Sequence, residues 1–129
     1  MRFYKCQTCG QIVMKVKNTG ASLICCGKPM LEIEPMTEKN EMVYEKHMPE
    51  YTFCDNELCV YVGKIPHPMT DEHYIEWILV ETNKGYHMKK LRLDQKAEAT
   101  FKLEEDEKPL AIYTYCNIHS LWELDLCKD

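Results

Sequence analysis

Apolar and polar residues alternate along most of this chain, the spacing expected of strands buried on one face. His73, Ile75, Trp77 and Leu79 fall on one side of a predicted strand over 73–80; Ala97, Ala99, Phe101 and Leu103 repeat the pattern, and Ala111, Tyr113 and Tyr115 repeat it again. Turn residues separate these runs. Asp55-Asn56-Glu57 divides 51–62 into two strands, Asn83-Lys84-Gly85 leads into 86–93, and the acidic stretch 104–107 is followed by Pro109. No segment of three helical turns carries an amphipathic stripe. Short strands with turns about every ten residues predict an all-β chain whose larger part is a β-sandwich. The first part differs in texture. Asn18-Thr19-Gly20 separates Ile12, Val13 and Val16 from Leu23 and Ile24, which predicts a β-hairpin. The polar stretch 37–41 then marks a boundary between parts spanning 1–36 and 37–129.

Length fits this division: 129 residues give room for one ordinary core and a small appendage, not for several large domains. No run approaches the roughly 20 consecutive apolar residues of a membrane span. The opening Met1-Arg2-Phe3-Tyr4-Lys5-Cys6 lacks the apolar stretch of a signal peptide, so the expectation is a soluble, cytoplasmic protein with no membrane contact. Charge is unevenly spread. The formal net charge is −5, with five bases and two acids in 1–36 against eleven bases and nineteen acids in 37–129. No basic stripe runs through the larger part, which argues against a nucleic-acid groove.

Eight cysteines and five histidines change the picture. In a reducing cytosol thiols at this density suggest metal sites, not disulfides. Cys6-x2-Cys9 and the adjacent pair Cys25-Cys26 bring four thiolates to one point. The two-residue gap lets Cys6 and Cys9 face one ion across a tight turn, whereas the Cα atoms of adjacent ligands are only about 3.8 Å apart, which predicts a distorted tetrahedron. Four sulfurs fit zinc or iron, and spacing alone does not decide between them. A second set lies in the larger part. His47 precedes Met48-Pro49, His67 sits between Pro66 and Pro68, His73 follows six residues later, and Cys116-Asn117-Ile118-His119 closes the set. Four imidazoles and one thiolate are one ligand too many for tetrahedral zinc, and five ligands with one position left open suit a redox ion such as iron.

Taken together, Cys6-x2-Cys9-x15-Cys25-Cys26, Glu45-Lys46-His47-x-Pro49, His67-Pro68-Met69-x3-His73 and Cys116-Asn117-x-His119 resemble desulfoferrodoxin, the two-iron superoxide reductase family. The likeness spans nearly the whole chain. It implies a small desulforedoxin-like domain with an Fe(Cys)4 site on Cys6, Cys9, Cys25 and Cys26, followed by an immunoglobulin-like sandwich. The sandwich is expected to hold a catalytic iron on His47, His67, His73 and His119 with Cys116 as axial ligand. The implied reaction is one-electron reduction of superoxide to hydrogen peroxide, with rubredoxin or a similar small protein as donor and a homodimer as the assembly. Glu45 and Lys46 are expected to act beside His47: Lys46 attracts the anionic substrate, and Glu45 takes the open position once the iron is oxidised. Backbone N–H groups of Asn117 and Ile118 are candidates for hydrogen bonds that tune the Cys116 sulfur.

Three cysteines fall outside this scheme. Cys54 and Cys59 flank a turn, where a disulfide is geometrically possible, and Cys127 is expected to be a free thiol. His87 reads as a surface residue, and Trp77 and Trp122 as core or site-lining aromatics. Against the reductase stand an electron carrier with a saturated histidine site, a zinc-stabilised interaction domain, and a dismutase. An open coordination position, elemental analysis and oxygen release distinguish these.

Overall fold

The computed structural model describes residues 2–37, 48–63 and 66–127 and separates into two units, Met1–Glu34 and Pro35–Asp129. Among the described residues twelve strands make up the regular structure: β1 Phe3–Lys5, β2 Ile12–Met14, β3 Ile24–Cys25, β4 Lys28–Pro29, β5 Leu31–Ile33, β6 Pro49–Cys54, β7 Glu57–Val62, β8 Ile75–Thr82, β9 Gly85–Lys90, β10 Glu98–Lys102, β11 Pro109–Cys116 and β12 Ser120–Asp125. No helix occurs among the described residues, in keeping with the all-β expectation.

In the first unit β1 is the centre of an antiparallel three-stranded sheet ordered β2-β1-β5, and β3 and β4 form a separate hairpin. The predicted pairing of 12–16 with 23–24 does not occur. Instead the Cys6–Gln11 turn folds β2 back onto β1, with Phe3 opposite Met14, and Val16 is left exposed. Asn18 still makes its turn, its Oδ1 accepting from the Gly20 N–H, but the turn connects no ladder. Short-range turn chemistry was therefore sound, while the choice of strand partner was made by the cysteine turn.

The second unit is a sandwich of a three-stranded sheet, β10-β7-β6, and a four-stranded sheet, β12-β11-β8-β9. Leu58, Val60 and Val62 of β7 and Phe101 of β10 pack with Ile78 and Val80 of β8 and Ile112 of β11 in one buried cluster, and Ala97 and Leu103 at the ends of β10 join it as their alternation predicts. Asp55 and Asn56 both have positive φ, the conformation a two-residue β-hairpin loop requires, and they connect β6 to β7. Its register sets Cys59 opposite Thr52 and Cys54 opposite Glu57; both cysteines are free thiols, so the disulfide considered across this turn is absent.

One irregularity positions the site. Trp77 pairs with Tyr115, but the next pair is Ile75 with Cys116, so β8 has one extra residue, Glu76, at this point. The bulge breaks the simple alternation expected from His73 to Leu79. Ile75 joins Ile78 and Val80 in the core, whereas Trp77 stacks on Tyr115 with ring centroids 5.6 Å apart. Bulges bend a strand and re-aim its side chains, and here the displaced end of β8 leads directly from the segment carrying His73.

Candidate metal centres

The first centre is built by two turns. Cys6 follows β1; its carbonyl accepts from the Gly10 N–H, and its sulfur accepts from the Cys9 N–H at 3.4 Å. Gly10 closes the turn at φ 82°. The adjacent cysteines are reconciled by backbone conformation: Cys26 and Gly27 both take positive φ between β3 and β4, the two-residue turn that lets neighbouring sulfurs converge. All four sulfurs lie within 4.8 Å of one another, and Cys9 Sγ is 3.5 Å from Cys25 Sγ. Their acidities diverge. The Cys9 N–H holds the Cys6 thiol down at about 6, while hydrogen bonding to the Cys9 sulfur pushes Cys25 up to about 12 and raises Cys26 as well. Four thiolates at such separations repel, so a cation is what allows all of them to ionise together. An all-sulfur tetrad suits iron or zinc.

The second centre lies at one end of the sandwich. Cys116, fully buried, ends β11, and the loop 117–119 returns the chain to β12 with Ser120 at φ 66°. This short loop carries His119, whose Nδ1 is 3.9 Å from the Cys116 sulfur and whose carbonyl accepts from Trp122 Nε1. His67 is 5% exposed, its Nε2 3.5 Å from Cys116 Sγ. Its Nδ1 lies 2.7 Å from the Pro68 carbonyl, a contact that requires the proton on Nδ1 and leaves Nε2 as the donor atom. The His73 ring stands edge-on to His67 at 4.5 Å and to His119 at 5.1 Å. Donor atoms of His67, His73 and Cys116 all fall within 4.8 Å of one another. Glu45, Lys46 and His47 lie outside the described residues.

Burial pushes the Cys116 thiol up, opposed by the backbone N–H groups of His119 and Ile118, which stabilise its thiolate. Ile118 was a predicted donor; Asn117 was not one in fact, because its N–H goes to the Tyr74 carbonyl. Asn117 has another task. Its Oδ1 accepts from the Tyr74 N–H at 2.9 Å and its Nδ2 donates to the Glu72 carbonyl at 3.0 Å. The side chain thus ties the segment holding His73 to the loop holding Cys116 and His119. Only its position between two ligand candidates hinted at such a role in the sequence. Soft thiolate and neutral imidazole donors in one buried cluster fit an iron ion held by nitrogen and sulfur.

Comparison with known proteins decides the family. The desulfoferrodoxin N-terminal domain profile matches residues 1–33, and the desulfoferrodoxin profile matches residues 34–125. The chain belongs to the desulfoferrodoxin family. A desulfoferrodoxin homolog from Archaeoglobus fulgidus is 39% identical over 95% of each chain, and the desulfoferrodoxin of Clostridium acetobutylicum is 36% identical over 98% of this chain and 97% of its own. Among solved structures, the superoxide reductase from Treponema pallidum superposes with a TM-score of 0.78 at 30% identity, covering 96% of both chains. A one-iron superoxide reductase from Giardia intestinalis aligns over 64% of this chain and 99% of its own, with a TM-score of 0.53 at 28% identity. The Cys6, Cys9, Cys25, Cys26 cluster and the His67, His73, Cys116 cluster match the two iron centres of a desulfoferrodoxin.

Proposed function

We propose that this chain is a superoxide reductase, taking one electron and two protons into superoxide to give hydrogen peroxide, and that a rubredoxin-like protein re-reduces it. The mixed donor cluster carries the reading: His67 Nε2 sits 3.5 Å from Cys116 Sγ with a His73 nitrogen in the same group. With His47 and His119 the set offers five ligands, where structural zinc takes four and closes.

Iron held by these residues would supply a one-electron couple to a small anion. The chain's own residues set the conditions. Burial of His67 and Cys116 keeps bulk water from the donor atoms, which strengthens charge interactions at the centre. The Pro68 carbonyl orients the His67 ring and makes Nε2 a better donor. N–H groups of Ile118 and His119 draw charge from the Cys116 sulfur. In haem enzymes a thiolate ligand favours O–O cleavage, so moderation of the Cys116 sulfur by these two amides would favour release of intact peroxide. In this reading Lys46 would draw the anion inward against a net charge of −5, and Glu45 would be the carboxylate available to the iron beside His47. Lys46→Ile is expected to slow superoxide capture about tenfold at low salt and to flatten its salt dependence; an unchanged low-salt rate would remove the role.

The deciding experiment measures metal content and stoichiometry together. Two irons per chain, one donor electron consumed per superoxide, and no oxygen released are expected. Oxygen release at one per two superoxides would make the protein a dismutase, and zinc without iron would end the enzymatic reading. The same proposal has the protein working in the cytoplasm as a homodimer, which sedimentation of the iron-loaded chain tests.

A further inference from the structure

A groove of about 710 Å³ runs along the sandwich between β9 and β10, and it is unlike the rest of the unit. Lys89, Lys90, Arg92 and Lys96 line it, with Glu98 the one acid among the lining residues. The segment 89–96 carries four bases and one acid, in a part of the chain where 37–129 holds nineteen acids to eleven bases. The basic loop is held in shape: Arg92 N–H donates to Gln95 Oε1, Gln95 N–H to the Arg92 carbonyl, and Leu91 N–H to the Glu76 carbonyl. Lys90 and Lys96 form no ion pair among the described residues. Arg92 Nε pairs with Asp94 at 3.1 Å, so the unbalanced charge is chiefly that of the lysines; like charges gathered on an ordered surface repel one another, and an acidic partner relieves that repulsion.

A second cleft adjoins the groove. A smaller cleft of about 360 Å³ shares Tyr61, Lys96 and Glu98 with it and is lined at its other end by Pro66 and His67. Backbone hydrogen bonds join the same residues: His67 N–H to the Val62 carbonyl, and Val62 N–H to the Ala97 carbonyl beside Lys96. His67 itself is buried, so this route is closed to a molecule at its inner end but brings a surface within one side chain of a donor to the metal.

We infer that the basic groove between β9 and β10 is the docking surface for an acidic one-electron donor protein, with His67 as the point of electron entry. The inference rests on the function proposed above. One electron leaves the donor and enters the histidine–cysteine centre; no covalent bond forms or breaks and no proton is required. A diatomic anion needs neither a groove of this size nor four separated cations, whereas a protein face uses both, and such charge pairing acts chiefly on association rate.

The test uses the full iron-loaded chain, reduced rubredoxin as the acidic probe, and the double variant Lys90→Glu/Lys96→Glu. Lys102→Glu/Lys108→Glu, outside the groove, is the control. Re-reduction of the oxidised chain by rubredoxin should slow at least tenfold at low salt in the groove variant and lose its salt dependence, with the control close to the unaltered chain. Reaction with a superoxide pulse should be the same in all three. An unchanged donor rate overturns the inference, and so does an equal fall in the superoxide rate, which would make the groove a funnel for the small anion. Amide shifts of the zinc-loaded chain on adding zinc-loaded rubredoxin give a readout independent of turnover. Shifts concentrated in 89–98 support docking here, and shifts confined elsewhere refute it. If the unaltered chain fails to react with superoxide, the enzymatic reading falls, while the shift map still decides whether an acidic protein binds.

Discussion

The two metal centres of this chain stand on different foundations. Among the described residues up to Glu34 only Phe3, Cys6 and Met30 are buried, and the strands are two or three residues long. Four sulfurs from two tight turns are what bring this segment to one point. The second centre is set at the end of a sandwich with its own continuous core from Leu58 to Ile112. In one case a metal would organise the chain; in the other the chain would organise a metal. A unit of about 34 residues lies below the size at which an apolar core usually suffices without a metal or disulfide, whereas the sandwich has strands of five to eight residues and a buried cluster drawn from both sheets.

Removing the metals should expose this contrast most strongly. Chelation under denaturant-free conditions, or Cys9→Ser, is expected to unfold the first unit, because binding and folding free energy are coupled in small metal domains. Amide signals from 2–34 should collapse to unfolded positions while those of β7, β8 and β11 persist. Retention of a dispersed first unit without metal would break the comparison. A smaller effect is expected in the second unit from Ile112→Ala. Ile112 is fully buried between the sheets, and its truncation should cost about 2–5 kcal/mol in the urea unfolding of the sandwich. It should leave the visible absorption of the first centre unchanged.

Asn117→Ala sharpens the comparison within the second centre. Its side chain holds the Tyr74 N–H and Glu72 carbonyl, so the loss should be about 1–3 kcal/mol. A structural loss alone would lower the unfolding midpoint. A positioning role predicts in addition faster loss of iron to a chelator from the second centre, with the first centre retaining its own.

The smallest effect concerns pH. Glu107 is buried, where Thr82 Oγ1 at 2.5 Å, the Glu104 N–H and the His87 ring at 2.8 Å surround its carboxylate. His87, which the strand pattern marks as a surface residue, is therefore half-buried and anchored. These partners, the Thr82 hydroxyl foremost, hold the Glu107 carboxyl at about 2, below its ordinary 4.5. A lowered folded-state value means stabilisation that is complete above about 4.5 and disappears as pH falls through about 2. Glu107→Gln should flatten the pH dependence of sandwich unfolding between these limits, measured by urea midpoints in the metal-free chain.

Much of this was legible in the residues themselves. Alternation placed Ala97, Phe101 and Leu103 in the core, and the Asp55-Asn56 and Asn83-Lys84-Gly85 turns fell between the strands they were expected to join. The cysteine tetrad was equally plain, since its members lie within a 21-residue span. Less visible was anything that depends on which strand meets which. Ile12–Met14 had two possible partners with similar propensity, and the Cys6–Gln11 turn chose between them. The bulge at Glu76 reversed the face of Ile75, since an extra residue inverts a period of two.

The histidine–cysteine centre shows where the division falls. Residue types and local turns are properties of the chain: prolines flank His67, and two residues separate Cys116 from His119. The approach of His67 to Cys116, 49 positions apart, is a property of the packed sandwich, as are the Asn117 tether and the cleft that joins His67 to the edge of the basic groove. Short-range order follows from backbone sterics and side-chain hydrogen bonds, which act within a few residues and can be read in linear sequence. Convergence of distant ligands follows from burying two sheets against each other, an energy that no single segment carries and that appears only when all of them meet.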